Sequence, residues 1–311
     1  MPFFSVVIPL YNKENLIEQT ISGLLDQSFT DFEVIIVNDG STDNSLEKIN
    51  HLIDNRFKII NQDNKGASFA RNIGIENSNG NYIALLDADD YWNTNHLVEL
   101  KKLIETFPNA GLYCNNYQIY YTKDAVRPAN FNFNFNKDCL IVDDFFKASL
   151  TNSLAWTSAV GFTKEKFYTV GCFNTTLKTA QDLDLWIKMA LKYDVAFNPK
   201  ITMSYKSYVD NSLSKSKYND IRYEFINNFS KEEKENPSLK LYLDINRYAV
   251  AIRCKLNNEK ELYQKLKSEI DYSNLNFKQK LLLNSPEIIL KTFKKIHEIL
   301  VKNGIYFSAN R

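Results

Sequence analysis

Four short apolar runs, Phe4–Leu10, Phe32–Val37, Phe57–Asn61 and Tyr82–Leu86, are separated by stretches whose apolar residues recur at helical spacing. Runs of this length without polar alternation suit strands buried on both faces. Between the first two, Glu14–Asp26 carries Leu16, Ile17, Thr20, Ile21, Leu24 and Leu25 along one helical stripe. Asp43–Ile53, Ser68–Glu76 and Thr94–Phe107 are predicted helices of the same kind, and tyrosine-rich Gly111–Tyr121 reads as a longer strand. This alternation predicts an α/β domain with a mainly parallel sheet flanked by helices.

Beyond residue 121 the pattern weakens. Residues 122–155 read as irregular, and the Asn/Phe alternation of Asn130–Asn136 fits either an exposed edge or a mobile loop. Helical period returns at Leu183–Leu191, and from Tyr218 onward the chain reads as helical and charged, broken at Pro237 and Pro286. The expected division is a catalytic or binding domain over 1–214 and a helical C-terminal region over 215–311. Charge divides the same way. Residues 215–311 hold 19 Lys and Arg against 12 Asp and Glu, so of the net +1 they carry +7 and residues 1–214 carry −6. The small net charge gives no general argument for nucleic acid. Cys114, Cys139, Cys172 and Cys254 are widely spaced and read as buried thiols of a reducing compartment. No basic region precedes an apolar stretch at Met1–Ser5, and no apolar window reaches the roughly 18 residues of a membrane span. A cytoplasmic protein, free or peripheral at the inner face of the membrane, is expected.

Ligands of parallel sheets bind outside the carboxyl ends of the strands, and three polar clusters fall there: Pro9–Asn12, Asn38–Asp43 and Asp87-Ala88-Asp89-Asp90. Near-adjacent carboxylates repel one another unless a cation lies between them. If strand geometry continues through Ala88, Asp87 and Asp89 point the same way. Mg²⁺ or Mn²⁺ held by one or two carboxylates completes its shell with phosphate oxygens and water, so the cluster suggests a diphosphate ligand.

Other residues carry two readings each. Asp39, before the Gly40-Ser41 turn, suits acceptance from a uracil N3–H or ribose hydroxyls, or plain turn chemistry. Tyr11 suits stacking on a base, or packing at a strand end. Arg71 suits a diphosphate or base edge, or a salt bridge to the acidic rim. Gln181-Asp182-Leu183-Asp184-Leu185-Trp186 opens an amphipathic helix. Asp182 there either complements the helix dipole or takes a proton from an acceptor hydroxyl. Trp186 is expected beneath it, with Asp184 solvated or supporting.

Pro9-x-Tyr11-Asn12, Asn38–Asp43, Gly66-x4-Arg71-Asn72-x-Gly74, Asp87–Asp90 and Gln181–Trp186 stand in the order seen in family 2 glycosyltransferases, which the chain resembles over roughly residues 3–214. The resemblance implies a GT-A fold, a UDP-sugar donor and an inverting single displacement assisted by Mn²⁺ or Mg²⁺. It places Asp39 on uracil, with Pro9 and Tyr11 lining the base pocket and Arg71 as a basic nucleotide contact. Asp87 and Asp89 form the pair that touches ribose and holds the metal on the diphosphate, with Ala88 also in the nucleotide-sugar site. Asp90 orients the sugar or metal-bound water, and Asp182 is the general base. Two departures stand out: Gln181 replaces a common glutamate, and Tyr205-Lys206-Ser207-Tyr208 lacks a histidine, so no third protein ligand is expected. Donor choice is expected from residues 111–117 and 153–161.

Leu290–Lys302 is basic and amphipathic, with Leu290, Phe293, Ile296 and Leu300 on one face. It fits docking on the catalytic domain, or an anionic membrane that carries a lipid-linked glycan acceptor. Phe29, Phe131 and Phe133 are expected to add to either surface. The competing functions are a nucleotide-sugar-binding module without turnover and a nucleotidyltransferase. The latter lacks its glycine-rich phosphate loop here.

Overall fold

Continuous β-branched runs become strands because both of their faces are covered. Val6, Val7 and Ile8, like Val34, Ile35, Ile36 and Val37, have no solvent exposure. The computed structural model of the protein describes residues 1–209 and 218–302. Its first half runs β1 (Phe4–Leu10), α1 (Ile17–Leu25), β2 (Phe32–Asp39), α2 (Ser45–Ile49), β3 (Phe57–Gln62), α3 (Ala67–Glu76) and β4 (Tyr82–Leu85). There follow β5 (Tyr91–Trp92), α4 (His96–Thr106), β6 (Leu112–Tyr120), β7 (Val126–Pro128), β8 (Leu140–Ile141) and α5 (Phe145–Ala148). Next come β9 (Val160–Thr163), α6 (Lys164–Val170), α7 (Gln181–Lys192) and β10 (Val195–Lys206).

These strands form one sheet in the order β3-β2-β1-β4-β9-β6-β10-β5, with β7 beside β6 and β8 beside β10. β1 pairs in parallel with β2 and with β4, β2 with β3, and β10 with β6, whereas β9 opposes both β4 and β6. The sheet is therefore mixed: its longest ladders are parallel, β5 and β8 oppose β10, β7 opposes β6, and the carboxyl ends of β1, β2 and β4 lie side by side. Gly74 lets α3 lie close on this sheet, since a Cβ there would come within 2.4 Å of Val7 Cγ1.

β5, β9 and β10 were not legible as strands. β10 is interrupted at Pro199-Lys200, where its register on β6 shifts between Asn198 and Ile201. Proline cannot donate to the ladder, so the strand bulges there and its period is lost. The Asn130–Asn136 segment is neither an edge strand nor a free loop. Phe131, Phe133 and Phe135 pack around buried Phe197 at ring separations of 5.2, 5.7 and 5.2 Å. Phe29 packs on Phe3 and Phe4. Phe131 is thus buried, while Phe29 and Phe133, expected on an outer apolar surface, are half-buried and pack mainly on the core.

The C-terminal region is helical: α8 (Asn219–Asn227), α9 (Glu232–Glu235), α10 (Pro237–Leu256), α11 (Lys260–Glu269), α12 (Phe277–Asn284) and α13 (Glu287–Lys302). The expected boundary at 214/215 lies outside the described residues. The chain breaks at Pro237 as expected: α9 ends at Glu235 and Pro237 opens α10, with the Asn236 side chain capping it. α10 docks on the sheet domain through Ser238 Oγ, which donates to Asp144 (2.6 Å), and through Tyr242 against Phe146. At its centre, buried Arg247 and Asp244 pair with each other and with Glu233 and Lys240. On α13, Leu290 is buried while Ile288, Ile289, Phe293, Ile296 and Ile299 stay exposed, as do Phe277 and Leu281 of α12. The helix face expected to act as a unit is therefore split. Leu290 packs inward and its neighbours face out. Among the described residues no helix is long and apolar enough to cross a membrane.

Candidate active site

β4 ends at Leu85, and the Asp90 N–H closes a turn on the Asp87 carbonyl (3.0 Å). Strand geometry does not continue through Ala88, which is buried, so Asp87 and Asp89 meet different cations. Arg71 Nη2 donates to Asp87 Oδ1 at 2.6 Å, and Lys13 Nζ to Asp89 Oδ2 at 2.6 Å. Arg71 projects from α3, is 5% exposed, and lies 5.4 Å from the ring centre of Phe173. Its Nε and Nη1 are buried with no hydrogen-bond partner among the described residues. Unsatisfied buried donors are costly, so they mark a place where acceptor atoms of a ligand are wanted.

Asp90, expected to orient the sugar or metal-bound water, is nearly fully buried. Burial pushes its carboxyl well above the usual range, and the charges of Asp89 and Asp87 push it further. The segment Trp156-Thr157-Ser158, at the 3-10 turn before β9, braces three of the site's aspartates in succession, Asp90, Asp182 and Asp87. Trp156 Nε1 reaches Asp90 Oδ2 (3.4 Å), Thr157 Oγ1 reaches Asp182 Oδ2 (3.5 Å), and Ser158 Oγ accepts from the Asp87 amide (3.0 Å). It falls within 153–161, the stretch expected to shape donor choice, although the bracing itself was not foreseen. Lys206, at the end of β10, was also missed. Burial lowers its pKa, while nearby Asp90 and Asp89 oppose that change.

Asp182 stands in the first turn of α7. The residue before that helix, Ala180, has φ 61°, a left-handed conformation that a non-glycine residue adopts only under constraint. The Asp182 carboxylate accepts from the Leu183 amide (2.9 Å). Burial raises its pKa, the Arg71 charge lowers it, and Asp87 raises it again, so three residues from three separate motifs act in one field. The charge of Asp182 in turn adds to the burial that raises Tyr242 on α10, so the helical region borders this carboxylate. Trp186 packs beneath, against Phe162 and Phe173. Gln181 is buried, its Oε1 without a partner among the described residues. Asp184 is wholly buried, not solvated. Two residues on from Asp182, about 200° around the helix, it binds Lys188 Nζ (2.5 Å) and lines a separate cavity of about 620 Å³ behind α7.

At the far side, Asp39 is almost fully buried. It accepts from Gln62 Nε2 (2.7 Å), the Lys65 amide (2.8 Å) and the Gly66 amide (2.8 Å), fastening the β3–α3 loop. Gly40 turns at φ +73°, and a Cβ there would approach the Asn64 amide nitrogen at 2.8 Å. Asn12, Ser41 and Thr42 stitch the β1–α1 loop to the β2–α2 loop, and Asp43 accepts from the Glu14 amide (3.0 Å). Pro9 is half-buried, and Tyr11, beside it, is 46% exposed with its ring open to a partner.

Among the described residues no three His, Cys, Asp or Glu side chains form a ready metal cage. A hard cation that shares its shell with phosphates asks for only one or two carboxylates. Asp87 and Asp89, each now neutralised by a cation of the chain itself, meet that requirement, so the donor set fits Mg²⁺ or Mn²⁺.

Residues 5–168 match the model of Glycosyl transferase family 2. The chain belongs to this family. A Bacillus subtilis relative assigned to teichuronic acid biosynthesis, the glycosyltransferase TuaG, is 30% identical over 221 residues, 70% of this chain and 83% of that protein. The structure of S. aureus TarS 1–349 in complex with UDP-GlcNAc overlays with a TM-score of 0.69, covering 98% of this chain and 93% of that one at 17% identity. The mannosyltransferase PcManGT from Pyrobaculum calidifontis, in complex with GDP-Man and Mn²⁺, overlays at 0.56 with 16% identity over 96% and 81%. These overlays show the shared GT-A fold. The chain spans 19% of the length of the first curated relatives it matches and 49% of the next.

Proposed function

We propose that this family 2 chain is a metal-dependent, inverting glycosyltransferase that moves a sugar from a UDP-sugar to a glycan hydroxyl. The observation that carries the reading is that the consecutive residues Thr157 and Ser158 hold Asp182 and Asp87 close together at the carboxyl edge of the sheet, with Arg71 paired to Asp87. A carboxylate whose pKa is raised by burial is a stronger base than one in water, and it is held beside an arginine with donors to spare. In this reading Asp39 takes the uracil N3–H on the oxygen that carries a single hydrogen bond, with Pro9 and Tyr11 along the base. Arg71 meets the nucleotide through Nε and Nη1, the Asp87-Ala88 backbone faces the ribose, and Asp87 and Asp89 hold the metal.

When bound, the metal supplies Lewis-acid neutralisation of charge on the departing diphosphate. Asp182 accepts the acceptor hydroxyl proton as that oxygen attacks the anomeric carbon from the side opposite UDP, which inverts the centre. A binding module without turnover would be favoured by an Asp182 locked in a salt bridge. Among the described residues its carboxylate has only the Leu183 amide and Thr157 as partners.

A lipid-linked acceptor fits the C-terminal region, whose exposed Phe277, Leu281, Ile288, Ile289, Phe293 and Ile296 lie on helices that also carry Lys278, Lys280, Lys291, Lys294 and Lys295. Apolar side chains among lysines suit an anionic membrane surface. The test of the catalytic assignment is Asp182→Asn. It should bind UDP with Mn²⁺ as the wild type does and lose transfer, and full transfer by the variant would remove the base from the mechanism.

A further inference from the structure

Each of the two outer aspartates at the tip meets one cation of the chain, and the two cations are not equivalent. Arg71 is held under Phe173 with its side chain 6% exposed, so its contact with Asp87 is part of the packing. The Lys13 and Asp89 side chains are 22% and 25% exposed, within reach of solvent and of an incoming ion. The backbone at Lys13 is nonetheless fixed. Its amide donates to Ser45 Oγ (2.8 Å), Asn12 is tied to Ser41 and Thr42, and the Glu14 amide donates to Asp43 (3.0 Å). What remains free to move is a four-carbon stem ending in a point charge. Lys206, the other lysine near the tip, is hydrogen-bonded to Gln19 Oε1 (2.5 Å) and, among the described residues, makes no ion pair with an aspartate.

We infer that Lys13 is a placeholder cation: it occupies Asp89 while no metal is bound, and it moves to the diphosphate when the nucleotide arrives, releasing Asp89 to the metal. The inference rests on the proposed metal–diphosphate site and adds an order of events to it. A divalent ion that binds Asp89 must displace the Lys13 ammonium from its carboxylate, so its affinity is lowered by that competition. A diphosphate offers Lys13 a new anionic partner and lifts the competition, so nucleotide and metal bind with positive coupling. Arg71 cannot play this part, because its guanidinium is buried and fixed.

The test is a titration of Mn²⁺, followed by the paramagnetic signal of the free ion, into wild type, Lys13→Gln and Lys13→Arg, each without nucleotide and with saturating UDP. Without nucleotide, Lys13→Gln should bind Mn²⁺ roughly two- to five-fold more tightly than wild type, the scale of one partly exposed ion pair. Lys13→Arg should stay near wild type. UDP should strengthen Mn²⁺ binding by a larger factor in wild type than in Lys13→Gln. A second arm titrates UDP in EDTA, where Lys13→Gln should bind more weakly because its diphosphate partner is gone. Equal Mn²⁺ affinities without nucleotide, or equal UDP affinities in EDTA, would overturn the placeholder role while leaving the metal site intact. Absence of Mn²⁺ binding to all three proteins, even with UDP, would overturn the inference together with the proposed site.

Discussion

The Arg71–Asp87 pair is asymmetric, and the asymmetry has a measurable consequence. Arg71 is 6% exposed and Asp87 28%, at a separation of 2.6 Å. In Asp87→Asn a buried guanidinium loses its charged partner while two of its N–H groups are already unsatisfied. Breaking a buried pair from that side costs about 3 kcal/mol. In Arg71→Met the carboxylate left behind is one that water reaches, so the cost falls to about 1–2 kcal/mol. The double variant removes the charge problem on both sides and should be less damaged than the sum of the singles, with a coupling of about 1.5 kcal/mol or more. Urea unfolding of the four proteins without nucleotide or metal reads these values directly. A coupling below about 0.5 kcal/mol, or Arg71→Met as the costlier single change, would show that the pair is not the buried-cation arrangement described.

Other perturbations follow from single features. Because burial raises the folded pKa of Asp182, its ionised form opposes folding above that pKa, and the penalty is relieved as pH falls through it. Asp182→Asn should therefore be at least as stable as wild type at pH 8, with the difference closing in acid. Thermal unfolding against pH checks the sign, and a variant less stable at pH 8 contradicts it. Ala180→Gly removes a left-handed alanine at φ 61° and should gain about 1 kcal/mol while slowing transfer through a looser start to α7. A lower unfolding temperature in that variant would mean the conformation is not strained. Phe197→Ala strips the anchor from Phe131, Phe133 and Phe135 and should cost about 3–5 kcal/mol in urea unfolding. A loss under about 1 kcal/mol would mean that the loop does not depend on it.

The first four strands were legible because unbroken apolar runs leave no other way to bury both faces. β10 was not, because Pro199 breaks its period where the sheet bulges. The aromatic loop at 131–135 was ambiguous for a different reason. Its partner, Phe197, is remote in sequence, and the alternation records packing on one ring rather than on a sheet. Within the candidate site, Asp39, Arg71, Asp87, Asp89 and Asp182 were named from short motifs, and the fold brings Arg71, Asp87 and Asp182 into one field. Their supports were hidden. Lys13, Trp156, Thr157, Ser158 and Lys206 act through contacts across the sheet, which no local spacing encodes. Asp184, read as solvated or supporting, is wholly buried, and Asn228, Phe229 and Glu232, remote in sequence, line the same cavity on that side of α7.

The central claim is that the aspartate tip and Asp39 together hold a metal–uridine diphosphate. Calorimetric titration of UDP with Mn²⁺ and with EDTA, beside GDP, CDP and dTDP, tests it most directly. UDP should bind tightly with Mn²⁺, much more weakly in EDTA, and more tightly than the other nucleotides. Equal binding of all four nucleotides, or none of UDP under either condition, would contradict it.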